Sequence, residues 1–141
     1  SWLIWEAATV LGDKEICERV LGPVKMIAEA ASEGFIPGQG MIYESETSKG
    51  KIDADRHWWV QAETVVGYYN LYSLTGDSSA FDKAVDCWKF IRAHITDHDG
   101  GEWFWSIKAD GTVNTEDDKA GFWKCPYHNG RMCMEIIERN R

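Results

Sequence analysis

The stretch Ser73-Leu74-Thr75-Gly76-Asp77 ends one helical pattern and starts another, and it decides how the chain folds. Glycine readily takes the left-handed conformation that ends many helices, and aspartate is a favoured residue at the start of the next helix. The same signal occurs earlier, at Val10-Leu11-Gly12-Asp13. The sequence therefore predicts two helical hairpins, each closed by a Gly-Asp turn.

Helical periodicity fills the segments around these turns, with apolar residues recurring in steps of three and four. Pro23 lies inside the second pattern and is expected to kink or briefly break it. A further helix follows the second hairpin, and Pro126 suits its first turn. The predicted helices span residues 1–11, 13–33, 58–74, 78–96 and 126–139.

Short β-structure is expected in the loops between the helices. Residues 41–45 and 51–54 flank a polar turn and can pair as a hairpin, and Trp103 to Ile107 reads as a strand with Val113 as candidate partner. The fold class is therefore all-α, built from helical-hairpin repeats with short β-hairpins in the connecting loops. Residues 1–141 form a single segment of about two and a half helical hairpins.

Such hairpins stack side by side, because no single hairpin buries both of its faces. Two and a half of them leave an apolar side open. We therefore expect either that copies of the chain associate or that the chain is part of a closed ring of hairpins.

Composition excludes several classes of partner. Hydrophobic residues make up 44% of the chain and charged residues 27%, which is typical of a globular protein. The net charge of −8 argues against nucleic acid, which requires a basic surface. No apolar run approaches the length of a membrane span, and no signal peptide is recognisable, so no membrane partner is expected.

The cysteines and histidines give no indication of a metal centre. Cys17, Cys87, Cys125 and Cys133 form no C-x-x-C and no zinc-type cluster with histidine, so we expect buried free thiols, which suit a reducing cytoplasm. Asp97-His98-Asp99 is better explained as a solvated loop than as a ligand set. No P-loop, dinucleotide fingerprint, serine elbow or HExxH run occurs.

The run Trp123-Lys124-Cys125-Pro126-Tyr127-His128-Asn129-Gly130-Arg131 is the most distinctive segment. His128 is expected in the first turn of the last helix. The partial positive charge at a helix N-terminus favours neutral imidazole, which is the form that a general base needs. The alternative is a histidine that only forms a hydrogen bond at the helix start.

The run Arg56-His57-Trp58-Trp59-Val60-Gln61-Ala62-Glu63 offers a second set of candidates. Trp59 and Glu63 are four residues apart and share one helix face, so an aromatic platform lies beside a carboxylate. Such a pair can stack on a sugar ring and bind its hydroxyls. The alternative is a buried tryptophan with a surface glutamate. Trp2 and Glu6 repeat the spacing in the first helix.

Four runs closely resemble the cellobiose 2-epimerases of the N-acylglucosamine 2-epimerase superfamily. They are SWLIWEAATVLGD (1–13), RHWWVQAE (56–63), GEWFW (101–105) and DKAGFWKCPYHNGRMCMEII (118–137), and the resemblance extends over nearly the whole chain. It implies an (α/α)6 toroid, of which this chain would be the C-terminal part, with sugar bound at the centre by inner helices and loops.

The resemblance also implies a reaction. The reducing-end glucose of a cellobiose-like disaccharide would be converted to mannose through an enediolate, by two histidines on opposite faces of C2, without metal or nucleotide cofactor. His128 would be one of the two. Trp59 and Trp123 would stack on the sugar, Glu63 would bind hydroxyls or assist, and Trp2 would lie near the site.

The sequence departs from the family pattern in one respect. In the family the partner histidine lies in a His-x-x-Glu run just before the segment matching Ser1-Trp2, and no such run is present in this chain. We therefore expect the isolated chain to be inactive or nearly so. A complementing N-terminal part, or a homo-oligomer, would be needed to complete the site.

Three other functions compete with this interpretation. An aldose–ketose isomerase acting on mannose would use the same enediol and is poorly separated by sequence. A non-catalytic carbohydrate-binding or self-associating helical module would keep the tryptophan faces while His128 became incidental. A glycosidase or lyase needs paired carboxylates, and Glu63 is the only obvious candidate, so this class ranks low.

Overall fold

Five α-helices carry the architecture of the computed structural model, which describes all residues from 1 to 141. Their number and order agree with the sequence prediction, and most ends differ from it by only one or two residues. They are α1 (Trp2–Leu11), α2 (Lys14–Ala31), α3 (Trp58–Thr75), α4 (Ser78–Phe90) and α5 (Tyr127–Arg139). None of them is long and apolar enough to cross a bilayer.

The two Gly-Asp turns form as predicted. Gly12 and Gly76 end α1 and α3 with φ of 69° and 71°, in the left-handed region. Asp13 accepts a hydrogen bond from the Glu15 backbone N–H at 2.9 Å, and Asp77 accepts one from Ser79 at the same distance. Each turn therefore closes one helix and caps the next, which gives the hairpins α1–α2 and α3–α4.

Two helices depart from prediction. The expected break at Pro23 is wrong, since α2 runs unbroken through it. The preceding residue is Gly22, which has no Cβ to clash with the proline ring, and burial of Val24 and Ala28 holds the second half of the helix in place. At the end of α4 the α-helical pattern stops at Phe90, and residues Ile91–Ile95 form a π-helical turn.

Three antiparallel strand pairs lie in the loops. The predicted hairpin is present at narrower bounds as β3 (Glu44–Glu46) with β4 (Lys51–Asp53), and β1 (Phe35–Ile36) pairs with β2 (Gly40–Met41). The strand predicted from Trp103 to Ile107 is confined to Ser106–Ile107, and Val113 bridges Ile107 as predicted. The sequence did not show that β6 (Ser106–Ile107) also pairs with β5 (Arg56–His57), which joins the start of α3 to the loop after α4.

Helix α3 is the centre of the molecule, with buried side chains around most of its circumference. It packs mainly against α4 and α5 and also contacts α1 and α2. The main core cluster contains its residues Trp58, Ala62, Val65 and Val66, together with Trp2, Cys87, Phe90, Ile91, Ile95, Trp103, Ile107 and Met132.

The cysteine prediction is only partly correct. All four thiols are free, and Cys87 is fully buried, which raises the pKa of its thiol. Cys17, however, is only half-buried, and Cys125 and Cys133 are exposed.

Two Gly→Ala substitutions should change stability in opposite directions. Gly76→Ala should lower the free energy of unfolding by about 1–2 kcal/mol, because an L side chain is strained at φ 71°. Gly130→Ala should raise it by about 0.5–1 kcal/mol, since Gly130 lies inside α5 with open space where a Cβ would be. Urea unfolding followed by circular dichroism measures both changes. If both substitutions changed the free energy of unfolding in the same direction, the helix boundaries at these two glycines would be contradicted.

Candidate active site

The Glu63 carboxylate is the point at which three helices meet. Its Oε2 accepts a hydrogen bond from Trp2 Nε1 of α1 at 2.8 Å. Its Oε1 lies 2.8 Å from His128 Nδ1 and also accepts from Arg131, both on α5. Glu63 itself lies on α3 and is less than one quarter exposed. Residues far apart in sequence thus share one carboxylate.

The charge of Glu63 determines the tautomer of His128. Burial alone would raise the pKa of Glu63, but the hydrogen bonds from His128, Trp2 and Arg131 outweigh it and lower the pKa below its ordinary value of 4.5. Glu63 is therefore ionised at neutral pH and can only accept hydrogen bonds. It follows that His128 Nδ1 carries a proton, and in the neutral imidazole Nε2 is then the nitrogen with the free lone pair that a general base requires.

Aromatic rings surround His128 on three sides. The ring centres of Trp58 and Tyr127 lie 5.2 and 4.9 Å from the ring centre of His128, and both rings are edge-on to it. The ring centre of Trp59 lies 5.7 Å away, and its ring is tilted. Trp58 is buried, whereas Trp59 is 38% exposed. Consecutive residues of one helix thus give a core contact and an accessible aromatic face beside the same imidazole.

An open cleft of about 720 Å³ reaches this site from the side of α1 and α2. Trp59, Glu63 and Tyr43 lie in its wall, so the predicted pair at positions 59 and 63 faces one space. His128 does not line the cleft and lies beyond Trp59 and Glu63. The volume is within the range of small-molecule sites and is large enough for a disaccharide.

Of the other two predicted sugar-binding residues, Trp2 lines the same cleft and Trp123 does not. Trp2 is beside the site, as expected, but it is almost fully buried, and the Arg131 guanidinium covers its ring at 5.0 Å. Its polar contact with the site is the hydrogen bond to Glu63. Trp123 is 82% exposed and packs edge-on against Phe122 at 4.9 Å, with no ring contact or hydrogen bond to the Glu63 cluster.

Sequence reasoning missed Arg131 as a member of the cluster. It lies three residues after His128, so both occupy one face of α5, and this spacing was the available signal. The spacing of Trp2 and Glu6 repeats that of Trp59 and Glu63, but the two pairs do not make equivalent contacts. Glu6 instead bonds to Arg139 at 3.2 Å, near the end of α5.

Potential metal ligands occur in one place. Ligand atoms of Asp53, Asp55 and His57 lie within 4.8 Å of one another. Both carboxylates already accept backbone hydrogen bonds, from Asp55 N–H at 3.1 Å and from Ala109 N–H at 2.8 Å. His57 stacks on Tyr43 at 4.1 Å. These contacts account for the cluster as part of the loop structure.

The loop at Asp97-His98-Asp99 does not bring its side chains together as ligands. Asp97 accepts from Lys119 at 2.5 Å and from backbone N–H groups of its own turn. The His98 ring lies 2.6 Å from the Arg92 carbonyl. Its structure is that of a hydrogen-bonded turn, as the sequence indicated.

Comparison with known proteins gives the family. The sequence profile described as N-acylglucosamine 2-epimerase (GlcNAc 2-epimerase) matches residues 1–130. The chain belongs to this family. Among curated members, the cellobiose 2-epimerase of Bacteroides fragilis is 60% identical over 137 residues, which are 97% of this chain and 35% of that protein.

The structural match agrees with this membership. The crystal structure of a sugar epimerase from a ruminal bacterium superposes with a TM-score of 0.89 at 36% identity, over 99% of this chain and 36% of that one. A more distant family relative, the D-mannose isomerase of Marinomonas mediterranea, is 29% identical over 99 residues, 70% of this chain and 25% of that protein. The chain spans about a third of the length of the epimerases it matches.

The fold prediction is thereby confirmed. This member of the N-acylglucosamine 2-epimerase family consists of helical hairpins stacked as in part of an (α/α)6 toroid, with short antiparallel strands in the loops. Helices α1, α3 and α5, which occupy equivalent places in successive hairpins, supply Trp2, Glu63 and His128.

Glu63→Gln should remove a stabilising contribution that depends on pH. The folded-state pKa is lowered, so ionised Glu63 contributes stability that is fully present above pH 4.5 and is lost as pH falls through the folded pKa. The melting temperature of wild type should exceed that of Glu63→Gln near neutral pH, and the gap should close in acid. Glu138→Gln, at an exposed pair with Arg141, is the control and should change little at any pH. A gap that widens in acid would contradict the assignment.

Proposed function

We propose that this chain provides a general base, His128, and a sugar-binding surface for epimerisation at C2 of the reducing-end glucose of cellobiose-type disaccharides. The observation that carries the proposal is the contact of Glu63 with His128 Nδ1 at 2.8 Å, which leaves Nε2 free to take a proton. The similarity to cellobiose 2-epimerases supports the choice of substrate and reaction.

The proposed chemistry starts from the open-chain aldehyde. His128 Nε2 takes the proton from C2, the C–H electron pair forms the C1–C2 double bond, and the carbonyl oxygen becomes an enediolate oxygen. Return of a proton to the opposite face of C2 gives the mannose configuration. Glu63 stabilises the imidazolium that forms, as an ionised carboxylate at Nδ1 does for other catalytic histidines. No metal or nucleotide is required by these steps.

One histidine accounts for only one of the two proton transfers. The other histidines are engaged elsewhere: His57 stacks on Tyr43, His94 packs on Phe90 at 5.0 Å, and His98 contacts Arg92. We therefore expect the second acid/base group to come from outside residues 1–141, either from a complementing N-terminal part or from another copy of the chain.

Four side chains are proposed to serve the sugar. Trp59 offers the accessible aromatic face beside His128, and Glu63 lines the same cleft and can accept from hydroxyls. Trp123 offers a second, freely exposed face for the other ring. Trp2 contributes by holding the Glu63 carboxylate, since its own ring is covered by Arg131.

The assembly and cellular setting follow from surface properties. Val10 and Leu11 of α1 expose 78% and 68% of their surface, which supports association with a second copy or with a complementing part. We propose that residues 1–141 act as one segment of a toroidal domain. Four free thiols suit a reducing cytoplasm, and the net charge of −8 is consistent with neutral sugar partners and no nucleic acid.

Two alternative functions can be distinguished from this proposal by the sugar product that forms and by the residues that sugar binding requires. A mannose isomerase would deliver the proton to C1 of the same enediol and give a ketose, and similarity to the Marinomonas relative is the observation that favours this alternative. A non-catalytic carbohydrate-binding or self-associating helical module would need Trp59 but not His128.

The proposal predicts C2 exchange in D2O by the wild-type chain incubated with cellobiose. A single base can deliver solvent deuterium to the same face of C2 from which it removed the proton. Cellobiose deuterated at C2 should therefore accumulate, while glucosyl-mannose stays a minor product. His128→Asn should lower deuterium incorporation by about 100-fold or more, since it removes the base. NMR of the sugar measures exchange, and chromatography separates epimer from ketose.

The controls separate binding from chemistry. Trp59→Ala should weaken cellobiose binding, followed by tryptophan fluorescence, whereas His128→Asn should leave it within about twofold. Wild-type exchange that survives in His128→Asn would overturn the role of His128. If wild type showed no cellobiose binding and no exchange, the proposal for this chain would be overturned. A ketose product would favour the isomerase.

A further inference from the structure

Lys124 is fully buried although it follows an exposed tryptophan in a surface loop. Its ammonium donates to the carbonyl of Trp103 at 2.8 Å and to that of Lys119 at 2.5 Å. Its third neighbour is the Glu102 carboxylate at 3.7 Å, and it lies over the Trp58 ring at 4.9 Å. A lysine is seldom buried so completely, because removing its charge from water is costly.

Glu102, the acidic partner, has a backbone conformation that L residues rarely adopt. Its φ of 65° makes it the sole non-glycine residue of the chain at positive φ. Its carboxylate receives the Trp103 N–H at 3.2 Å and both its oxygens receive the Asn129 side-chain amide, at 3.2 and 3.3 Å. Strain of this kind persists only where surrounding contacts impose it, and it concentrates at functional sites.

The network of Glu102, Lys124 and Asn129 reaches His128 from two directions. Asn129 is the next residue of α5, so its bond to Glu102 holds the backbone at His128. Lys124 lies against the face of Trp58, whose ring also contacts the imidazole at 5.2 Å. Neither route passes through Glu63. The ring of His128 is therefore held on one side by the carboxylate and on the other by this network.

We infer that Glu102, Lys124 and Asn129 are positioning residues that set the orientation of the His128 ring toward the sugar. The inference rests on the proposed function, because the orientation matters to the reaction only if His128 is the base. The network also anchors the loop at Lys124 between Trp123, which stays exposed, and the first turn of α5. The buried Lys124 ammonium thus fixes the position of His128 relative to Trp123.

The test observes the imidazole directly and does not depend on turnover. The chain is labelled with ¹⁵N-histidine, and its four ring systems are assigned by single His→Gln variants. In wild type His128 should show the Nδ1–H tautomer with distinct Nδ1 and Nε2 signals. In Lys124→Met and in Asn129→Ala these signals should move toward the averaged values of free imidazole, while those of His94 and His98 stay in place.

Matched variants guard against a general effect on folding. Lys108 and Glu116 form an exposed pair at 3.0 Å, so Lys108→Met repeats the lysine change outside the network and Glu116→Gln removes the charge of its partner. Both control variants should leave His128 unchanged. Asn129 is only partly buried, so Asn129→Ala keeps the test available if Lys124→Met fails to fold. Unchanged His128 signals in folded Asn129→Ala would overturn the inference, as would an equal shift in the control variants.

A kinetic readout separates this inference from the proposed function. If wild type exchanges C2 deuterium, Asn129→Ala should slow exchange by about tenfold or more with cellobiose affinity unchanged, since small misplacements of a base are costly. Loss of affinity with unchanged exchange would overturn the positioning role. A ring shift in the variants together with no exchange by wild type would place the failure in the proposed reaction and leave the structural network established.

Discussion

The structure depends on one partly buried carboxylate that must be compensated. Glu63 lies on the central helix, and an ion removed from water is tolerated only where hydrogen bonds and opposite charge replace the lost hydration. The compensation comes from α1 through an indole N–H and from α5 through an imidazole and a guanidinium. Both α1 and α5 are thereby joined to α3 by hydrogen bonds as well as by apolar packing. The same bonds that stabilise the charge also orient the histidine.

Local sequence signals accounted for the helices but not for how they meet. Gly76-Asp77 and Pro126 specify ends and starts through backbone preferences that operate within a few residues, and the structure has helix ends there. They also placed His128 correctly in a first turn. The partners of Glu63 lie 61 to 68 positions away along the chain, and no local preference encodes such contacts. A function for the site could be proposed only because of resemblance, whereas its hydrogen-bond network could be known only from the folded structure.

The failures of prediction have a common physical cause. Lys124 has a residue type typical of surfaces, yet two carbonyls, a carboxylate and an indole face compensate its burial, and these come from separate parts of the chain. Trp2 has an indole suited to a sugar, yet a protein cation occupies its face. Pro23 normally interrupts a helix, but a glycine before it and buried residues after it keep α2 continuous. In each case tertiary surroundings reversed a sound local expectation.

Arg139 near one end of the chain touches residues near the other. Its guanidinium bonds to Glu6 and lies 5.7 Å from the Trp2 ring centre, so side chains of the first and last helices meet. A peptide joining residue 141 to residue 1 would connect two helices that already share these contacts. The order of the elements along the chain is therefore separable from their order in space, and a circular permutant opened at the exposed turn between α3 and α4 would keep Trp2, Glu63 and His128 on one continuous stack.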